Sequence, residues 1–274
     1  MDKAELSSCF GQVICGPPGS GKSTYTREAF RLLKETRSPV LVNLDPALIG
    51  AQSKEWRGLD VIDIRNLITC EDASKAARGI GPNASFLFCL EYLNSALGRE
   101  WLVGEMRKQK ANAYFIFDLP GQVELVTHHL AVRQMLHYLV KEHELRLVAV
   151  HLVDGTFAMD ALKFMSVSML CLSTMMCLEL PHLNVLTKSD LVMGDDLDFP
   201  LEFYTANPNF TLLAQSKFLK VPKRNVKYKA LCDSVCEMLD NYAQVAFHMV
   251  SVRDDEQSVR DLLQACDVAC GWRC

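Results

Sequence analysis

Eight residues, Gly16 to Ser23, constrain this chain more than any other stretch. They read G-P-P-G-S-G-K-S and fit G-x-x-x-x-G-K-[ST]. A short apolar run, Gln12 to Cys15, precedes them and reads as a strand; Thr24 to Glu35 reads as a helix. Glycines at 16, 19 and 21 let the backbone turn tightly and aim its N–H groups inward. The following helix adds the positive end of its dipole. A strand, loop and helix of this kind cradle phosphate. Gly16, Pro17, Pro18, Gly19, Ser20, Gly21, Lys22, Ser23 and Thr24 are therefore expected to wrap a nucleoside triphosphate. Lys22 supplies a point charge to the β- and γ-phosphates, and the Ser23 hydroxyl is a Mg2+ ligand.

The chain has 274 residues and 49% hydrophobic content, enough for a large α/β core. A net charge of −4 gives no general attraction to nucleic acid or anionic membrane, so neither is expected as a partner. The start, M-D-K-A-E-L, does not read as a secretory signal. The eleven cysteines are then expected as free thiols in a reducing compartment. The longest uncharged apolar run, Phe164 to Leu178, falls short of the ~20 residues of a spanning helix and reads as a buried one.

Along the chain, strands are expected at Pro39–Leu44, Ala113–Phe117, Leu145–Val153, Asn184–Leu186 and Val245–Val252. Helical patterns cover Val61–Ile68, Glu71–Arg78, Phe86–Lys110, Val123–Glu144, Ala158–Leu180, Val226–Tyr242 and Asp255–Ala269. Residues 194–225 read as an irregular insertion. Strands alternating with helices predict a mostly parallel sheet covered on both faces, a three-layer α/β sandwich of the P-loop NTPase kind. Ligands bind at the carboxyl ends of such strands. There stand the loop itself, Asp45, Asp118, Asp154 and Lys188 to Asp190.

Asp118-Leu119-Pro120-Gly121-Gln122 follows the third of these strands. Asp118 can hold Mg2+, Gly121 can offer its N–H to a γ-phosphate, and Gln122 can orient an attacking water. Thr187-Lys188-Ser189-Asp190 fits [NT]-K-x-D. A carboxylate at Asp190 accepts from guanine N1–H and N2–H, a pair that adenine does not present, and the Lys188 stem covers the base. Asp45 can face Mg2+ or the hydrolytic water, or form an Asx turn before Pro46. Gly81-Pro82-Asn83 reads as a turn.

Taken in order, G-P-P-G-S-G-K-S, N-L-D-P-A, G-P-N, D-L-P-G-Q-V-E-L, H-L-V-D and L-P-H-L-N-V-L-T-K-S-D resemble the GPN-loop GTPases, most of all the second eukaryotic paralogue type. The resemblance runs from about Phe10 to Leu191 and more weakly over 226–271. It implies one SIMIBI-class GTPase domain over 1–274, with the GPN-loop insertion at about 48–110 and a variable one at about 194–225. It implies GTP, GDP and Mg2+ as ligands, with Ser23, Asp45 and Asp118 around the metal. The catalytic group would be Lys22, Asp45, Gln122 and Asn83. The implied assembly is a homodimer, or a heterodimer with a paralogous GPN-loop GTPase. In it Gly81, Pro82 and Asn83 reach the partner's nucleotide. Ser251 falls where the family's last guanine-contacting loop lies. The implied role is assembly and nuclear import of RNA polymerase II or related complexes, through polymerase subunits or assembly factors. The protein would be cytoplasmic and shuttle to the nucleus. In this chain Gln52 to Trp56 stand where relatives carry Pro-Tyr-Glu.

Three patterns stay open on the residues alone. Cys232/Cys236 and Cys266/Cys270/Cys274 are thiol stripes or metal ligands, and His128-His129 packs or ligates. Leu162, Met165, Met169, Leu172 and Met176 are core or a dimer interface. Two other functions share the loop: a nucleoside or nucleotide kinase, and a nucleotide-bound scaffold without turnover.

Overall fold

In the computed structural model, residues 9–46, 59–77, 79–110, 112–192, 197, 199–206, 208–215, 226–242 and 246–272 are described. The sheet is built from β1 (Phe10–Cys15), β2 (Ser38–Asn43), β3 (Val61–Asp63), β4 (Ala113–Asp118), β5 (Arg146–Asp154), β6 (His182–Thr187) and β7 (Phe247–Val250). Its order is β3-β2-β4-β1-β5-β6-β7, and every pair is parallel. β1 lies between β4 and β5, and the strand order runs outward from it in both directions. That point is where an open α/β sheet leaves a crevice at its carboxyl edge.

Near-continuous apolar strands demand cover on both faces. On one face Val13, Phe115, Phe117, Leu147 and Ala149 meet α3 (Pro82–Asn94), α4 (Ala96–Arg107) and α6 (Leu130–His143), through Leu90, Leu102, Val132 and Leu136. On the other face, Ile14, Ile116, Val148 and Val150 meet α1 (Lys22–Leu33) and α11 (Glu256–Cys270) through Tyr25, Phe30 and Leu262. The expected three-layer sandwich is what the chain forms.

Several sequence expectations are corrected. Val61–Ile68 is not helical: Leu41, Val42 and Asn43 of β2 pair with Val61, Ile62 and Asp63, and a 3-10 turn follows at Ile64–Asn66. The pattern Phe86–Lys110 is two helices, because Ser95 accepts from Gly98 N and caps α4. Leu97, which a single helix over this range would place on its apolar face, is 67% exposed. Val123–Glu144 also divides, into α5 (Glu124–Thr127) and α6. Gly81-Pro82-Asn83 is not a free turn: Gly81 is the N-cap of α3 and Pro82 takes the first helical position, where a missing N–H costs nothing.

The stretch read as irregular holds α8 (Leu201–Thr205) and α9 (Phe210–Gln215). α7 (Ala161–Leu178) supplies Phe164, stacked on Phe210 at 5.7 Å and edge-on to Tyr204 at 4.9 Å, with Phe247 of β7 at 5.5 Å. α10 (Val226–Asn241) closes this third core with Cys232, Cys236 and Leu239. Of the methionine stripe on α7, Met165 and Leu172 are buried while Met169 and Met176 are exposed. α7 is long and apolar enough to cross a membrane by length and composition, with mean hydropathy 1.6 and half of it buried. The described cysteines are free thiols. Cys236 packs its sulfur 3.5 Å from Met165, and burial pushes its thiol up to about 11. Cys274 and the insertion residues 48–58 with Gln52 to Trp56 lie outside the described residues.

Removing the Phe164 ring should therefore unseat α8 and α9 together. Phe164→Ala is expected to cost about 3–5 kcal/mol in urea unfolding and to raise hydrogen exchange over 201–213. Loss of stability with unchanged exchange there would contradict this packing.

Candidate functional site

The phosphate-type loop is shaped by one close approach. Gly16 has φ +140°, and a Cβ there would lie 2.1 Å from the Leu152 carbonyl oxygen of β5. Only glycine fits. Gly21 then takes the left-handed conformation at φ 87° and caps α1. Lys22 reaches back, its Nζ donating to Gly16 O at 2.9 Å and Pro17 O at 3.0 Å. Burial pulls the ammonium down from the usual lysine range, while the Asp118 charge opposes that shift.

β4 and β2 bring the acidic residues to the same edge. Asp118 is 5% exposed, and its Oδ1 has no hydrogen-bond partner. Burial pushes its carboxyl up to about 7, against the pull of Lys22. Leu44 N donates to Asp118 O at 3.0 Å, which ties the two strand ends together. Asn43 makes an Asx turn: its Oδ1 accepts from Asp45 N at 3.1 Å and its Nδ2 donates to Asp45 O at 3.2 Å. Ser23, Asp45 and Asp118 form a hydroxyl and carboxylate set, hard oxygen donors suited to Mg2+. The unpartnered, buried Asp118 Oδ1 is the atom such an ion would satisfy, so these residues fit it.

Gly121 lies against the loop, where a Cβ would be 3.2 Å from Lys22 Nζ and 3.7 Å from Pro18. Gln122 Nε2 donates to Asn83 Oδ1 at 3.3 Å within one chain. The start of α3 and the Asp118–Gln122 segment thus meet at the mouth of the site. α3 is steadied by Ser85, whose hydroxyl donates to Gly81 O and lies 3.1 Å from Ser74 Oγ on α2 (Cys70–Ala76). His128 takes a hydrogen bond with Thr127 Oγ1 at 2.7 Å.

The far end is built on β5, β6 and β7. Thr187 Oγ1 lies 2.8 Å from Ser20 O and 3.0 Å from Val153 O, so β6 is bonded directly to the loop and to β5. Lys188 is left-handed at φ 57°, a conformation costing about 1 kcal/mol for a residue with a Cβ. Its Nζ donates to Asp154 Oδ2 at 2.5 Å. Asp190 Oδ1 accepts from Ser251 Oγ at 2.8 Å, and Ser251 Oγ in turn accepts from Asp254 N. Ser251, a residue with no motif of its own, is thus brought to the very carboxylate expected to read the base.

The contacts fall in two clusters, one around Lys22, Gly121, Gln122 and Asn83 and one around Lys188, Asp190 and Ser251, with Thr187 bonded to the loop between them. Asn43 and Gly155 were not singled out. A Cβ on Gly155 would lie 2.6 Å from Thr187 O, and only its placement between β5 and β6 shows that need. Asp154 was noted at a strand end without a role.

A parallel sheet in this order, with G-P-P-G-S-G-K-S leaving its central strand, defines the chain as a P-loop nucleotide-binding protein of the α/β class. A family model described as "conserved hypothetical ATP binding protein" matches residues 14–272. GPN-loop GTPase 2 of Xenopus tropicalis is 40% identical over 265 residues, 96% of this chain and 83% of the relative. GPN-loop GTPase 2 of Schizosaccharomyces pombe is 35% identical, over 96% and 80%. The crystal structure of an apo-form GTPase from Pyrococcus abyssi superposes with TM-score 0.74 at 21% identity, covering 96% of this chain and 98% of the other, which supports the fold. The chain belongs to the GPN-loop GTPase family.

Behind the loop lies a buried polar layer. Cys15 pairs in register with His151 of β5, and His151 meets His182 edge-on at 5.8 Å. Burial pulls His151 down to about 3 and His182 to about 4. Both are neutral in the fold, whereas an unfolded imidazole titrates near 6.5. Their contribution to stability is therefore present above about pH 6.5 and is lost as pH falls toward 3 to 4. In His151→Gln, the drop in unfolding free energy from pH 8 to pH 5 should shrink by about 2 kcal/mol. An unchanged drop would show that His151 does not carry it.

Proposed function

We propose that this protein binds GTP with Mg2+ and hydrolyses it to GDP and phosphate, as a dimeric switch in the assembly and nuclear import of RNA polymerase II or related complexes. The observation that carries the nucleotide reading is the linkage Ser251–Asp190 and Thr187–Ser20. A guanine-type acceptor is held on one side and the phosphate loop on the other, joined through a single threonine. The family model is described by ATP and the relatives' names by GTP; Asp190 favours the second, since adenine offers no donor pair to its carboxylate.

In this reading Lys22 exchanges its two carbonyl partners for phosphate oxygens. Gly19 to Thr24 aim N–H groups at the phosphates while Gly16, Pro17 and Pro18 shape the loop, and Gly121 N–H meets the γ-phosphate. Ser23, Asp45 and Asp118 would hold Mg2+, which shields the charge of the phosphates when bound. Gln122 and Asp45 orient the attacking water. The Gln122–Asn83 contact puts Gly81, Pro82 and Asn83 at the mouth of the site, where Asn83 could also meet a partner's nucleotide. The dimer, the polymerase client and the cytoplasmic, nucleus-shuttling location rest on the family resemblance. α7 is read as the core helix of a protein without a membrane role.

Two measurements test this. Competition against a fluorescent GDP analogue should show GTP and GDP displacing it at least a hundredfold better than ATP, about the discrimination of a buried hydrogen-bonding site. Comparable displacement by ATP would end the guanine reading. Single-turnover hydrolysis should fall about 10²-fold or more in Asn83→Ala with GTP affinity retained. Unchanged hydrolysis would remove Asn83 from the chemistry.

A further inference from the structure

Lys188 presents a puzzle that the guanine reading does not resolve. Its backbone is left-handed, and its charged head does not run straight out into solvent. The ammonium instead folds back to Asp154, at the end of the neighbouring strand, where Asp154 is the register partner of Thr187. The pair is 37% and 21% exposed, and ion pairs at such exposure add little to stability. Stability alone is thus a weak reason to hold a strained lysine in this place.

Asp154 is itself fixed. Its Oδ1 accepts from Thr156 N at 3.0 Å and from Thr156 Oγ1 at 2.8 Å, and Oδ2 takes Lys188. Burial pushes its carboxyl up, but the Lys188 and Thr156 bonds outweigh this and hold it below the usual carboxylate range. Lys188 also has a nearer acid in sequence, Asp190. An ammonium resting on Asp190 would compete with the base for that carboxylate. Asp190 is steered instead by the Ser251 hydroxyl.

We propose that Asp154 is a positioning residue for base selection: by holding the Lys188 ammonium it lays the lysine stem where the purine stacks and keeps the positive head off Asp190. This rests on the guanine reading above. A guanine then meets an apolar floor and a carboxylate that no ammonium covers, whereas loss of the tether frees the lysine to cover it. Oδ1 and Oδ2 divide the work, one orienting the carboxylate through Thr156 and the other holding Lys188.

The test is a double-mutant cycle on the full chain with Asp154→Asn, which keeps an Oδ1 acceptor for Thr156, and Lys188→Met, which keeps the stem without its charge. GDP and ADP affinities are read by competition, and melting without nucleotide reports folding. Asp154→Asn is expected to weaken GDP about tenfold with ADP within about twofold, so the preference ratio falls. Lys188→Met should lose less, since its loosened stem carries no charge to cover Asp190, and the double variant should match Lys188→Met rather than Asp154→Asn. An unchanged GDP-to-ADP ratio in Asp154→Asn, or losses that multiply in the double variant, overturns the proposal. If Asp154→Asn melts out, Lys188→Met decides, since unchanged GDP affinity there also overturns it. Absence of any GDP preference in the unaltered protein is a separate result that ends the guanine reading, and this proposal with it.

Discussion

The Leu152 carbonyl leaves no room for a side chain at residue 16, and the rest of the site follows from that contact. β1 and β5 must run side by side up to their carboxyl ends for the contact to exist, and their register runs from Phe10–Arg146 to Cys15–His151. The loop then leaves β1 over the end of β5. It is brought within reach of Asp118 on one flank and of Thr187 on the other. Chain length alone would not do this; a central strand with neighbours on both sides does.

Thr187 turns adjacency into coupling. One hydroxyl stands within hydrogen-bond distance of the Ser20 carbonyl in the loop and the Val153 carbonyl in β5. Such a hydroxyl has one proton to give, so the two carbonyls share it, and small shifts of the loop change which is favoured. The strand that carries Lys188 and Asp190 is thereby referenced to the loop that carries Lys22. A group recognised at one end is held at a set distance from the other.

Much of this was legible in the sequence because it is local. The loop, Asp118 to Gln122 and Thr187 to Asp190 are short runs whose residue types state their geometry, and buried parallel strands announce themselves as apolar runs ending at these motifs. What was not legible depends on partners far away in sequence. Val61 to Ile68 has apolar residues that suit either period, and only the edge of β2 selects a strand for its first three. Gly81-Pro82 suits a turn or a helix start equally, and α3 became a helix through its packing on β-sheet and α6. Ser95 interrupts an otherwise helical apolar pattern by a cap that needs one side-chain bond. Phe164 gathers α8 and α9 through aromatic contacts that no spacing rule describes. Ser251 acts on the Asp190 carboxylate through the fold, 61 residues away.

The electrostatics of Asp118 ties the site to stability. Its carboxyl is buried beside Lys22 with one oxygen lacking a partner, so ionising it costs energy that neither neighbour fully returns. Asp45 adds to that cost by like charge. Near neutral pH the carboxyl therefore stands close to its own midpoint, and a divalent cation that pairs with the ionised form shifts that balance. The same cation gains from the Asp45 charge that otherwise opposes it. Metal and triphosphate bound to the folded chain alone would add about 2.7 kcal/mol at a hundred times their dissociation constant. The fold thus places a destabilising group where its ligand, and no internal partner, completes it.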